Sequence, residues 1–455
     1  MTIEAINPTT GERIKAYEEM SIGDAHQAVN AAHNAFLEWR RTSLGTRAAL
    51  MRVAAQILRR KADEYARLMA EEMGKPYRQG VLEAQKCAGG CDFFAENASQ
   101  FLAPESVKTE AHKSFVAFRP LGVILAIMPW NFPFWQVFRF AAPSLMAGNA
   151  VVLKHASNVP GCALAIESIF REAGFPGDLY RNLLLGGRSV EAMMEHPAVR
   201  AVTLTGSGAA GRAVAGKAGS LLKKTVLELG GSDPYVVLDD ADLDAAAALC
   251  TRGRLINAGQ SCIAAKRIIV GDGIHDRFIE RFVSHMAATK VGDPLRPDTE
   301  MGPLARHDLR EKLHAQVQGS IAKGARCVLG GSMSPGRGNF YPPTVLRDVR
   351  KGMPAFDEEL FGPVAAVIRA SNEREAVALA NDTSYGLGAG IITSDLARGE
   401  RIAVEDIESG MVFVNEHVRS DPRLPFGGIK ESGYGRELSS FGIREFVNIK
   451  TIWVA

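Results

Sequence analysis

From residue 115 onward the sequence alternates short, unbroken apolar runs with stretches of helical periodicity, and few architectures permit that alternation. Phe115-Val-Ala-Phe118, Val123-Ile-Leu-Ala-Ile127, Ala150-Val-Val-Leu153 and Val199-Arg-Ala-Val-Thr-Leu204 are separated by segments such as Gly161–Ala173 and Arg188–Met194. A run that is apolar at nearly every position leaves no face for solvent, so it reads as a strand covered on both sides. Such strands joined by helices build parallel sheets with right-handed crossovers. The series restarts after Gly230-Gly231 with the strand Tyr235-Val-Val-Leu238, the helix Leu243–Asn257, the strand Arg267-Ile-Ile-Val270 and the helix Asp276–Ala288. It continues through Cys327-Val-Leu329 and Val364-Ala-Ala-Val-Ile368 to Gly410-Met-Val-Phe-Val414. Two α/β domains dividing near residue 230 are therefore predicted, and 455 residues are too many for one ordinary core.

Residues 23–102 carry Ala, Leu and Val at three- and four-residue spacing between charges, broken at Gly74-Lys75-Pro76. They are expected to be amphipathic helices lying on a sheet face. The segment Phe446-Val-Asn-Ile-Lys-Thr-Ile-Trp-Val454 reads as a strand leaving the globule, and its apolar edge calls for a second chain.

Lys and Arg number 53 against 51 Asp and Glu, interspersed along the chain, so no basic footprint for nucleic acid or an anionic membrane is present. Small diffusible partners are expected instead. The longest apolar run, Val123 to Pro129, falls far short of the roughly 20 residues a membrane helix needs, and the first residues carry no leader pattern. The six cysteines show no disulfide spacing, which points to a reducing compartment, the cytoplasm. Cys87 and Cys91 lie on one helix side without further ligands at zinc spacing, so packing explains them and no metal is expected.

Three places carry residues suited to chemistry. Cys262 closes Asn257-Ala-Gly-Gln-Ser-Cys262, a polar loop between a helix and a strand. A nucleophilic cysteine needs that access, although a loop cysteine can also be merely structural. Glu228 sits at an apolar strand end before a glycine turn, where desolvation raises a carboxyl pKa toward the range of a base that activates water. An ion-paired structural glutamate would read the same way. Thr205-Gly206-Ser207-Gly208-Ala-Ala-Gly211 follows a strand and opens a helix, as a dinucleotide pyrophosphate site requires. Lys154 and Ser157 emerge together from the preceding strand. An ammonium and a hydroxyl accept a ribose 2′-phosphate that a carboxylate would repel, while a solvated lysine beside a helix cap is the plain alternative.

With these segments assembled, the chain resembles the aldehyde dehydrogenase superfamily along essentially its whole length. The motifs are Pro129-Trp130-Asn131-Phe-Pro133, Gly206 with Gly211, Glu228-Leu229-Gly-Gly231, Gly259-Gln-Ser-Cys262, Glu359-Leu-Phe361-Gly-Pro363 and Pro425-Phe-Gly-Gly-Ile-Lys430. The resemblance implies two Rossmann-like parallel-sheet domains with a small β oligomerisation arm. Residues 1–102 and 124–229 would bind cofactor, 230–425 would be catalytic, and 103–123 with 426–455 would bridge subunits of a homodimer or dimer of dimers. It further implies that Cys262 attacks an aldehyde, that Asn131 and the Cys262 N–H hold the oxyanion, and that Glu228 activates the hydrolytic water. Trp130, Lys154, Ser157, Gly206, Ser207, Gly211, Leu229, Glu359 and Phe361 would hold the dinucleotide.

Ser157 stands where NAD-preferring members commonly carry Glu, so NADP is the expected cofactor with NAD as a second. His155, Asn158 and the short N-terminus are similar to a bacterial subgroup oxidising succinate semialdehyde. Arg139, between Phe138 and Phe140, is costly to bury without an anion. Its partner is either a substrate's distal carboxylate or an internal acid. Ser420 and Arg419 are the further carboxylate contacts the resemblance implies, whereas Ile256 stands where other semialdehyde-oxidising members place an arginine. Besides an aldehyde dehydrogenase of broader specificity, competing readings are a CoA-acylating relative, a non-catalytic relative and a plain cysteine hydrolase. Retention of Asn131, Glu228, Cys262 and Glu359 argues against the first two, and the dinucleotide loop against the third.

Overall fold

The computed structural model describes residues 2–455, and two parallel sheets organise it. The first has the order Gly433–Tyr434, Lys224–Glu228, Val199–Thr205, Val123–Met128, Ala150–His155 and Tyr180–Asn182. Its two central strands follow directly from their sequences. Val123 to Ala126 and Ala150 to Leu153 are all buried, packed on both faces, so unbroken apolar runs are what the sheet selects. Each such Val, Ile or Leu contributes on the order of 1.5–3 kcal/mol by leaving water.

The helices Ile22–Trp39, Leu44–Arg60, Ala62–Met73 and Tyr77–Phe101 precede this sheet, where the periodicity of 23–102 predicts helix. Ser21 and Ser43 start the first two by accepting the N–H of Asp24 and Thr46.

The second sheet has the order Arg326–Leu329, Thr344–Arg347, Val364–Ala370, Arg267–Gly271, Pro234–Val237, Gly388–Ile392 and Met411–Val414. All its neighbours run parallel except the first pair. The mixed α/β architecture with parallel sheets is thus the fold predicted from the alternation.

Two details differ from the linear reading. The run at Phe115 does not join the parallel series. It lies within Lys113–Pro120, which pairs antiparallel with Val447–Val454 and Glu105–Ser106 in a separate three-stranded sheet. Half-buried residues along it accompany that position at the margin of the globule. The segment 426–455 is likewise not an arm throughout. Gly433–Tyr434 turns back to pair antiparallel with Leu227–Glu228, extending the first sheet, and only Val447–Val454 enters the arm. There Ile449 and Trp453 are exposed on a strand whose outer edge has no partner among the described residues. No helix among the described residues is long and apolar enough to cross a membrane.

Candidate active site

The helix predicted to run to Asn257 stops at Leu255 because the chain turns left-handed. Asn257, Ala258 and Gly259 have φ of 53°, 54° and 73°, a region that costs an ordinary residue such as Ala roughly 1–2 kcal/mol. At Gly259 the requirement is doubled, since a Cβ there would overlap the Gly362 carbonyl.

Arg254, fully buried, holds this turn in place. Its Nη2 donates to the carbonyls of Gly259 at 2.7 Å, Gly362 at 2.6 Å and Leu360 at 3.3 Å. The loop carrying Cys262 and the loop carrying Glu359 are thereby fastened to one guanidinium. Lys266 adds a second tie: its Nζ donates to the carbonyls of Ser261 at 2.9 Å and Cys262 at 2.7 Å, and lies 3.4 Å from Glu359 Oε1. Glu359 also accepts the Gly231 N–H at 3.2 Å.

Two cavities meet at Cys262 and Gln136, which line both. The larger, of about 470 Å³, takes Trp130, Asn131, Lys154, Gly206, Ser207, Leu229, Glu359 and Phe361 into its wall. Gly211 lies beneath that wall, where any side chain would collide with Leu229. Ser207 caps the helix Gly208–Ser220 by accepting the Ala210 N–H, which leaves a helix N-terminus at the groove. Lys154 has no carboxylate within 4 Å among the described residues, and burial lowers its pKa. A groove with a positive helix-end dipole and a free ammonium in its wall fits a phosphate-bearing dinucleotide. Ser157 sits apart from its wall, exposed on the turn after Ala150–His155, with its neighbour Ala156 lining the groove.

Asn131 projects from the turn between Met128 and Trp135. Its Nδ2 donates to the Gln260 carbonyl at 3.1 Å, while Asn257 Nδ2 donates to the Asn131 carbonyl at 2.7 Å. One amide hydrogen of Asn131 is left for another acceptor. The turn is anchored from below by Glu83, buried against Lys75, which accepts the N–H groups of Phe134 and Trp135 at 2.9 Å each. Both are the unpaired donors of a helix start.

The Cys262 thiol is half-buried, and burial pushes its pKa up to about 12, with Arg139 and Lys266 pulling the other way. It therefore rests as a thiol. Glu228 lies off both cavity walls, buried and with neither oxygen hydrogen-bonded among the described residues. Burial raises its pKa well above the usual range, Glu437 adds to the rise and Arg139 opposes it.

The smaller cavity, of about 70 Å³, is lined by Trp135, Arg139, Ile256, Arg419, Ser420 and Phe426 among others. The internal acid expected as one of the two partners of Arg139 is present here. Its guanidinium lies against the Glu437 carboxylate, both side chains buried, and 4.2 Å from the Phe426 ring centroid. The internal acid neutralises it, although it still faces the cavity. Ser420 Oγ accepts from Trp135 Nε1 at 2.9 Å and from Lys86 Nζ at 2.7 Å.

Lys86, Gln136, Arg254, Lys266 and Glu437 were not singled out in the sequence. Lys86 and Gln136 sit in ordinary helical text. Arg254 alone offered a signal, as a charge three residues before a left-handed turn.

A half-buried thiol at the junction of a groove that fits a dinucleotide and a small cavity lined by cations defines a cysteine-dependent oxidoreductase. Residues 1–452 match the model of the aldehyde dehydrogenase family, and the chain belongs to that family. It is 49% identical, over the full length of both chains, to a probable NADP-dependent succinate-semialdehyde dehydrogenase of Synechocystis. It is equally 49% identical over the full length of both to succinate-semialdehyde dehydrogenase [NADP(+)] 1 of Mycobacterium tuberculosis. Among solved structures it is similar to the succinic semialdehyde dehydrogenase of Streptococcus pyogenes in complex with NADP+, at a TM-score of 0.97 and 38% identity, covering 99% of each chain.

Proposed function

We propose that this protein oxidises succinate semialdehyde to succinate, with NADP as preferred acceptor and NAD as a second. The observation that carries the reading is the small cavity beside Cys262, whose wall presents cations and a serine hydroxyl to whatever extends from an aldehyde seated at the thiol. The two relatives named for that activity support it.

Cys262, once deprotonated, adds to the aldehyde carbon. The oxyanion that forms accepts hydrogen bonds from the open Asn131 amide hydrogen and the Cys262 N–H, which stabilise it as charge develops. A nicotinamide dinucleotide held in the larger groove would take the hydride from the former aldehyde carbon as the oxyanion collapses to a thioester on Cys262. Glu359 would hold its nicotinamide ribose, and Lys154 with Ser157 would hold the adenosine ribose and its 2′-phosphate. The thioester left on Cys262 is hydrolysed by water that Glu228 deprotonates. Since Glu228 starts off the cavity wall, its side chain turns toward Cys262 for that step. The open outer edge of Val447–Val454 pairs with a second copy in a cytoplasmic homodimer or dimer of dimers.

Steady-state rates with succinate semialdehyde, propanal, benzaldehyde and glyceraldehyde 3-phosphate, each with both cofactors, test the reading. The highest kcat/KM is expected for succinate semialdehyde with NADP; equal values for propanal would sink the substrate assignment. Ser157→Glu is expected to shift preference toward NAD by about tenfold or more, because a carboxylate repels the 2′-phosphate. An unchanged ratio of kcat/KM for the two cofactors would remove Ser157 from recognition.

A further inference from the structure

Three lysine and arginine side chains line the small cavity: Lys86, Arg139 and Arg419. Two of them already have acids. Arg139 lies against Glu437, and Arg419 stands 3.8 Å from Glu416. Lys86 has no carboxylate within 4 Å among the described residues. Glu83, one turn earlier on the helix Tyr77–Phe101, is taken by Lys75 and by the Phe134 and Trp135 N–H groups. Asp421, beside Ser420 in the chain, is held by Arg423 at 2.6 Å.

The Lys86 ammonium instead lies 4.6 Å from the Trp135 ring centroid and donates to Ser420 Oγ. That oxygen accepts from Trp135 Nε1 as well. A hydroxyl oxygen has two lone pairs, and here both are used, so the Ser420 proton is left to be donated elsewhere. An ammonium and a hydroxyl proton free to be donated thus stand side by side, with no anion among the described residues to satisfy them. Partly burying a cation in this way is costly until an anion arrives.

We propose that Lys86 is a specificity-determining residue that binds, together with Ser420, the distal carboxylate of a semialdehyde whose aldehyde carbon stands at Cys262. The proposal deepens the substrate reading above and rests on it. It adds the Lys86 charge to that of Arg139, which lines the same cavity and is paired with Glu437. Burial, with the like charge of Arg139 behind it, lowers the Lys86 pKa to about 8, a strain that a bound carboxylate relieves.

The test compares succinate semialdehyde with butanal, an aldehyde of the same chain length without the carboxylate, on the full-length enzyme. Lys86→Met is expected to raise KM for succinate semialdehyde about tenfold to a hundredfold with a much smaller change in kcat, the loss of one charge-assisted hydrogen bond. The preference for succinate semialdehyde over butanal should fall by a similar factor. Lys86→Arg is expected to restore most of both. Lys86→Gln keeps a donor for Ser420 without the charge and should lose KM as the methionine variant does. A preference unchanged in both uncharged variants would overturn the role of Lys86 and leave the substrate reading standing. A wild-type enzyme that shows no preference for succinate semialdehyde over butanal would overturn both.

Discussion

Cys262→Ala abolishes aldehyde oxidation, a fall of about 10⁴-fold or more in kcat, while NADP still binds. No other thiol can stand in. Cys87, Cys91, Cys162 and Cys250 are buried in the packing, and Cys327 lies in Arg326–Leu329 at the edge of the second sheet. Cys262 alone lines the two cavities. Rates of NADPH formation, paired with calorimetric titration of NADP, check the expectation. Residual turnover within tenfold of wild type would mean that the thiol is not the nucleophile.

Glu228→Gln should separate the two halves of the reaction. Steady-state turnover is expected to fall about 10²–10⁴-fold, the usual worth of a general base. A first burst of NADPH, near one per active site, should survive because thioester formation does not need the carboxylate. The pH dependence follows from the same burial. A carboxyl whose pKa is raised is protonated at low pH and can take a proton from water only after ionising. Wild-type turnover limited by hydrolysis therefore rises with pH, and the glutamine variant loses that rise. Stopped-flow absorbance at several pH values reads both. A variant without a burst would place Glu228 in the first half-reaction.

Much of this site lies in short stretches of chain, and that is why it was legible. Asn131 and Trp130 share one turn, Gly206 and Ser207 share one helix start, and Glu359 and Phe361 share one loop. Parallel sheets deliver loops of this kind to a common edge, so residues far apart in sequence converge without any signal between them. The α/β class was readable for a similar reason, since strands covered on both faces must be apolar throughout. The Phe115 run misled because four apolar residues do not declare which sheet they join. Long-range charge pairing was the other blind spot. The acid that pairs with Arg139, Glu437, lies nearly three hundred residues away, and Lys86 gains meaning only when Ser420 and Trp135 surround it.

The three carbonyls gathered by Arg254 also bear on engineering. Because Gly259, Leu360 and Gly362 hang from one guanidinium, the loop carrying Cys262 and the loop carrying Glu359 behave as a single casting. A chimera that splices this enzyme with a relative between residues 254 and 362 would draw the two loops from different parents and mismatch their spacing. Grafts with both crossovers outside that interval would carry the casting over whole, and they are where a recombination library should place its joints.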